Sequence, residues 1–295
     1  MAVIEVRGLT KAYGDTVAND RLDFSIESGE IFGYLGPNGA GKSTTIRQLM
    51  GFQAPTEGTA TIFGHDVRDD RALRQAKARI GFLPGEPAFT PSVTGREFLG
   101  YQAELKGDAR RDELLDMFTP PLDRPIREYS TGNKQMLAIV QAFMHDPDLL
   151  IMDEPTSGLD PLKQEAFHDF LRAERDSGKT VFFSSHILGE VRRVCDRVGI
   201  IRDGRLVTVE NVAELLARGG KQVRLHTETP LTEADFDLDG VVGFESEGRE
   251  VRFTFTGDYN ALFAALTDHR IVDIEIDEPP IEEVFMHFYG DEGDR

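Results

Sequence analysis

The chain has 295 residues and a net charge of −19, from 52 acidic residues against 33 Lys and Arg. That balance argues against a nucleic-acid backbone as the main partner, since nothing would offset phosphate repulsion. The single cysteine, Cys195, excludes an internal disulfide and fits a reducing cytosol. No stretch approaches the ~18–20 uninterrupted apolar residues of a membrane span, and the segment from Met1 to Glu5 is not expected to be a signal peptide.

In chain order, short runs rich in β-branched and aromatic residues predict strands over residues 3–6, 22–26 and 31–34. The third runs into Gly36-Pro37-Asn38-Gly39-Ala40-Gly41-Lys42-Ser43-Thr44, which fits G-x-x-x-x-G-K-[ST], and a helix over 44–50 leaves it. In that strand–loop–helix setting the glycines let backbone N–H groups turn inward around an anion. The helix N-terminus adds its partial positive charge. Lys42 is expected to reach the β- and γ-phosphates of a nucleoside triphosphate, and the Ser43 hydroxyl to ligate Mg²⁺.

Further strands are predicted over 59–63, 80–83, 149–152, 180–184, 198–201 and 205–209. Helices are predicted over 71–78, 94–105, 112–118, 131–145, 161–176 and 188–195. Several of these strands are apolar throughout, as expected when helices cover both faces of a sheet, so this part reads as α/β. The Gly219-Gly220 pair closes a helix begun at Val212, and the pattern changes beyond it. Residues 219–295 read as a small C-terminal α/β domain with strands over 222–226, 251–256 and 271–276 and a helix over 259–266. A last helix is expected to carry Ile281, Val284, Phe285 and Phe288 as one apolar stripe, before a frayed acidic tail, Gly290 to Arg295.

The carboxylates narrow the function. The apolar run from Leu149 to Met152 ends in Asp153-Glu154. Asp153 is placed to hold Mg²⁺ through its water shell, and Glu154 to polarise a water attacking the γ-phosphate. Between the two motifs lies Tyr129-Ser130-Thr131-Gly132-Asn133-Lys134-Gln135, where Ser130 is a good N-cap and Gly132 permits close backbone approach.

With these residues in order, followed by Ser157-Gly158-Leu159-Asp160 and by His186 after a strand, the chain resembles the ATP-binding cassette (ABC) family over residues from about 3 to 218. Tyr129-Ser130-Thr131-Gly132-Asn133 stands where the family has Leu-Ser-Gly-Gly-Gln. The resemblance implies a P-loop ATPase fold, a mixed sheet flanked by helices, with a nucleotide-binding domain over 1–218 and a helical subdomain at about 86–148. It implies ATP and Mg²⁺ as ligands and a head-to-tail pair of cassettes, expected to be a homodimer in which Ser130, Gly132 and Asp160 act across the interface. His186 is implied to hold the γ-phosphate and water, and Tyr13 to stack on adenine. The family's glutamine after the strand over 80–83 is replaced by Gly85, and Glu86 is the candidate substitute at the metal. Cys195 is expected to be inert packing.

The form of the signature and the C-terminal domain resemble drug, antibiotic or polymer exporters of the ABC-2 type. That implies a separate membrane-spanning permease, met by the segment from Pro84 to about Glu128, and a place on the cytoplasmic face of the membrane. The alternative is a soluble ABC ATPase acting on ribosomes, DNA or cluster assembly. It fits less well, because the chain has one cassette, no basic linker, no sustained heptads and an acidic charge.

Overall fold

Two long strands open the chain, β1 (Ala2–Tyr13) and β2 (Thr16–Glu27), paired antiparallel across a tight turn at Gly14. The computed structural model describes residues 2–218, 220–232, 238–267 and 269–277. Gly219, the apolar stripe at Ile281, Val284, Phe285 and Phe288 and the acidic tail lie outside the described residues. β3 (Ile31–Leu35) is buried at every position and leads through the phosphate loop into α1 (Lys42–Leu49). β4 (Glu57–Ile62) and β5 (His65–Asp66) then complete a four-stranded sheet in the order β2-β1-β4-β5. Asp69 caps α2 (Asp70–Lys77) by accepting the N–H groups of Arg71 and Ala72.

β6 (Ile80–Leu83) is followed by an inserted helical region before the sheet resumes. It holds α3 (Gly95–Lys106), begun by a reciprocal Thr94–Glu97 capping box, α4 (Arg111–Phe118) and α5 (Thr131–Phe143). Then come β7 (Leu149–Asp153), α6 (Pro161–Asp176), β8 (Thr180–Ser185), α7 (Leu188–Val194), β9 (Arg197–Arg202) and β10 (Arg205–Asn211). The second sheet has the order β10-β9-β3-β8-β7-β6, with β3 pairing parallel to β8 and β9, and β7 parallel to β6 and β8. Four rings join the two sheets: Phe24 of β2 lies 5.6–6.2 Å, centroid to centroid, from Phe32 and Tyr34 of β3 and Phe182 of β8. The helical insertion is fixed to α6 by a second aromatic group, Phe118 and Phe143 against Phe167 and Phe170, at 5.3–6.5 Å. Beside it the Arg110 guanidinium donates to both oxygens of the buried Glu174 at 2.7 and 2.8 Å, and Lys179 donates to the same carboxylate. No helix among the described residues is long and apolar enough to cross a membrane.

The chain divides between Glu210 and Asn211 into two compact units. The second begins with α8 (Val212–Arg218), so the division precedes this short helix, whereas the Gly219-Gly220 break follows it. β11 (Lys221–Thr227), β12 (Val241–Glu247), β13 (Glu250–Phe255) and β14 (Ile271–Asp277) form an antiparallel sheet in the order β12-β13-β11-β14, and α9 (Tyr259–Leu266) follows β13. Val223, Leu225, Val251, Phe253, Phe255 and Leu262 make its core. The sequence did not predict β12. Its register shifts between Val242 and Glu245 around Gly243, at φ 65°, which breaks the alternation that marks a strand.

Two histidines sit in this frame without full hydrogen bonding. His145 places Nε2 3.2 Å from the Ile80 carbonyl, while its Nδ1 and both ring nitrogens of His168 have no partner among the described residues. Burial, then the Lys106 charge, pushes His145 down to about 4, and burial also lowers His168. Both rings therefore stay neutral in the fold while the unfolded chain takes up protons near pH ~6.5. The unfolded state binds more protons below that value, so stability is expected to fall as pH drops from ~6.5 toward 4. Thermal melts from pH 7 to 5 should show a falling midpoint, and His145→Gln should flatten the slope.

Candidate nucleotide site

The parallel registers assemble the site. Leu35 stands opposite Ser185 and Asp153 opposite Ser184, so Gly36, Glu154 and His186 leave β3, β7 and β8 at one edge of the sheet. Ligands of open α/β sheets bind at such carboxyl-terminal edges. The Gly36 N–H donates to the Ser185 carbonyl at 3.2 Å. A Cβ on Gly36 would fall 2.3 Å from the Ile201 carbonyl, and one on Gly41, at φ 105°, 2.4 Å from the Ala18 carbonyl. Both positions therefore require glycine. Gly41 also caps α1 with no side-chain acceptor, which leaves the first N–H groups of the helix for a ligand. Asn19 donates to the Gly41 carbonyl at 3.2 Å and accepts from Gln48 at 2.8 Å, bracing the loop from below.

Lys42 is buried. Its ammonium donates to the carbonyls of Gly36 at 2.6 Å and Pro37 at 3.1 Å, and stands 3.3 Å from Oε1 of Glu154. The other oxygen of Glu154, Oε2, is 2.7 Å from Nδ1 of His186. One carboxylate thus lies between a fixed cation and an exposed imidazole. Glu154 adopts the left-handed region, at φ 50°, which a non-glycine residue occupies at a cost of order 1–3 kcal/mol. Its N–H is held by the carbonyl and hydroxyl of Ser184 at 3.2 and 3.1 Å, and the same hydroxyl donates to Asp153 at 2.5 Å. Ser184 is the residue that sequence reasoning missed; a serine ahead of His186 and opposite Asp153 was the available signal. A cavity of about 230 Å³ is lined by Ala18, the loop from Pro37 to Thr44, and Glu154.

The other expected residues fall outside that cavity lining. Tyr13 is exposed at the end of β1, donates to Gln53, and has the Lys11 ammonium 5.2 Å from its ring centre. Ser130 caps α5 by accepting the Asn133 N–H at 3.2 Å. A Cβ on Gly132 would come within 2.8 Å of the Gly158 carbonyl, so the start of α5 packs on the loop leading to Asp160. Asp160 caps α6, with Pro161 in the first turn, and the Lys163 N–H holds its carboxyl below the usual range. Gly85 reaches the site: its Cβ would lie 3.6 Å from Oδ2 of Asp153. Glu86 is exposed and makes no hydrogen bond or ion pair among the described residues.

Residues 19–157 match the ABC transporter family model. The chain is 32% identical to the linearmycin resistance ATP-binding protein LnrL of Bacillus subtilis, over 98% of both chains. It is 36% identical to the daunorubicin/doxorubicin resistance ATP-binding protein DrrA of Streptomyces peucetius, over 90% of this chain and 82% of that one. Among solved structures it resembles the ATP-binding subunit of an ABC transporter, with TM-score 0.66 and 30% identity over 72% of this chain and 91% of the other. It also resembles a dimeric ATP-binding cassette in a post-hydrolysis state bound to ADP and Pi, with TM-score 0.65 and 25% identity over 71% and 98%. Fold and site define a P-loop ATPase of the cassette type. The chain belongs to the ABC transporter family, as an ATP-binding and ATP-hydrolysing subunit.

Ser184→Ala removes the hydroxyl that holds the Asp153 carboxylate and the Glu154 N–H and leaves the phosphate loop intact. Hydrolysis is expected to slow about tenfold, about 1.4 kcal/mol of barrier, with nucleotide affinity unchanged. Steady-state ATPase rates alongside binding of a fluorescent ATP analogue check this.

Proposed function

We propose that this chain powers export through a separate membrane-spanning permease, held at the cytoplasmic face of the membrane by that partner. The resistance roles in the names of the relatives LnrL and DrrA support the direction. The observation that carries the chemistry is the Lys42–Glu154–His186 line, whose first two members line the phosphate-loop cavity.

ATP is bound by the backbone N–H groups from Gly39 to Thr44, with the Lys42 ammonium turning from its loop carbonyls to the β- and γ-phosphates. Glu154 accepts the proton of the attacking water and His186 orients that water and the γ-phosphate. Tyr13 offers its exposed ring to adenine. No cluster of three His, Cys, Asp or Glu that could hold a metal occurs among the described residues. Ser43 and Asp153, whose Oδ1 is already held by Ser184, suit Mg²⁺ shared with substrate phosphates rather than a caged ion. Bound there, Mg²⁺ would neutralise charge on the β- and γ-oxygens. Ser130, the Gly132 N–H and Asp160 serve the second nucleotide of a head-to-tail pair, in keeping with their absence from this chain's own cavity lining.

Two measurements follow. Glu154→Gln is expected to keep ATP affinity, lower turnover at least ~100-fold and accumulate an ATP-bound dimer on size exclusion; near-normal turnover would remove Glu154 as the base. Purification of the tagged chain from detergent-solubilised membranes should recover a stoichiometric multi-span protein, identifiable by mass spectrometry. Recovery from the soluble fraction with ribosomal or repair proteins would overturn the transport reading.

A further inference from the structure

Glu190, on α7, is a buried carboxylate that the chemistry above does not use; it is 5% exposed. The Thr156 hydroxyl donates to its Oε1, and the Ser185 hydroxyl donates to its Oε2 at 2.7 Å. No Lys or Arg pairs with it among the described residues. Burying an unpaired carboxylate is costly, and an apolar side chain of similar volume could serve packing alone as well or better. The hydroxyls it holds belong to two functional segments. Thr156 lies two residues after Glu154, and its carbonyl accepts the Leu159 N–H at 3.0 Å, closing the turn that leads to Asp160. Ser185 directly precedes His186, and its hydroxyl also accepts the Ile187 N–H at 2.9 Å, so both neighbours of His186 are held. The Ser185 carbonyl takes the Gly36 N–H at 3.2 Å, which extends the connection to the first residue of the phosphate loop.

We propose that Glu190 is a positioning residue: its carboxylate ties the loop after Glu154 to the segment carrying His186, so that the two groups flanking the attacking water are set in one geometry. The inference rests on the roles given to Glu154 and His186 in the proposed function. Loss of this tie lets the two segments move independently while the phosphate loop, held by Gly36, Asn19 and Lys42, still binds nucleotide. The effect is therefore on turnover and not on affinity.

The test uses the full chain in ATPase assays, with fluorescent ATP-analogue binding and thermal melts in parallel. Glu190→Ala is expected to lower kcat ~10- to 100-fold with KM and nucleotide affinity within ~2-fold of wild type. Glu190→Gln, which still offers one acceptor and adds a donor for the second hydroxyl, should recover most of that loss. Thr156→Val should be non-additive with Glu190→Ala, because both remove the same bond. Unchanged kcat in a folded Glu190→Ala variant, strict additivity, or parallel loss of affinity and turnover would each overturn the proposal. Where Glu190→Ala does not fold, the cycle of Thr156→Val with Ser185→Ala decides: coupling in kcat supports the tie and additivity rejects it. Glu154→Gln run alongside separates the two readings, since normal turnover there refutes the assigned base whatever the Glu190 variants do.

Discussion

The site depends on one constraint, the parallel register of three adjacent buried strands. β3, β8 and β7 lie side by side, and the pairings Leu35–Ser185 and Asp153–Ser184 end them at the same level. Parallel strands need covered faces and long crossovers, and the chain supplies both with α1, α6 and the helical insertion. A one-residue slip of β7 against β8 would turn Asp153 and Glu154 to opposite sides and part the Ser184 hydroxyl from both. The aromatic contacts of Phe24, Phe32, Tyr34 and Phe182 resist the corresponding slip of β3 against β8, because each ring fits one register and pairs of this kind add about 0.5–1.5 kcal/mol apiece.

The phosphate loop differs in sign from the molecule as a whole. The chain carries −19, yet the phosphate loop presents inward N–H groups, a helix N-terminus and a buried ammonium. Glu154 and the carbonyls of Gly36 and Pro37 occupy that ammonium. Under the proposed function, a triphosphate entering the cavity competes with those partners for Lys42 and frees the Glu154 carboxylate. The left-handed backbone at Glu154 aims the carboxylate at this point, and the Glu154 N–H, donating to the Ser184 carbonyl and hydroxyl, fixes that backbone.

Much of this was legible in the sequence, for physical reasons. The phosphate loop, the apolar strand ending in Asp153-Glu154 and the N-capped helices are local patterns, set by residues within about ten positions of one another. Ser184, Asn19 and Glu190 were not legible, because each has a partner 22 to 34 positions away that meets it only through the sheet register or helix packing. β12 was hidden by a bulge at Gly243 and by its polar edge residues. The position of the division before α8 was masked by the glycine pair, a strong local stop signal that marks the end of a helix and not the border of a packed unit.

The same distinction accounts for Ser130, Gly132 and Asp160. Sequence order places them between and after the two phosphate-site motifs, which invites their assignment to one cavity. In the fold they form a surface of their own: Ser130 and Asp160 cap α5 and α6, and Gly132 lies against Gly158 with no room for a side chain. Ser130 and Asp160 are exposed, and none of the three residues lines the phosphate-loop cavity. Each helix start satisfies one of its own first-turn N–H groups, that of Asn133 on Ser130 and that of Lys163 on Asp160, and Gly132 lies against the loop leading to Asp160. Under the proposed pairing, Gln135 then acquires a purpose beyond packing, because its amide donates to the Pro155 carbonyl at 2.6 Å and so links the signature helix to the residue that follows Glu154.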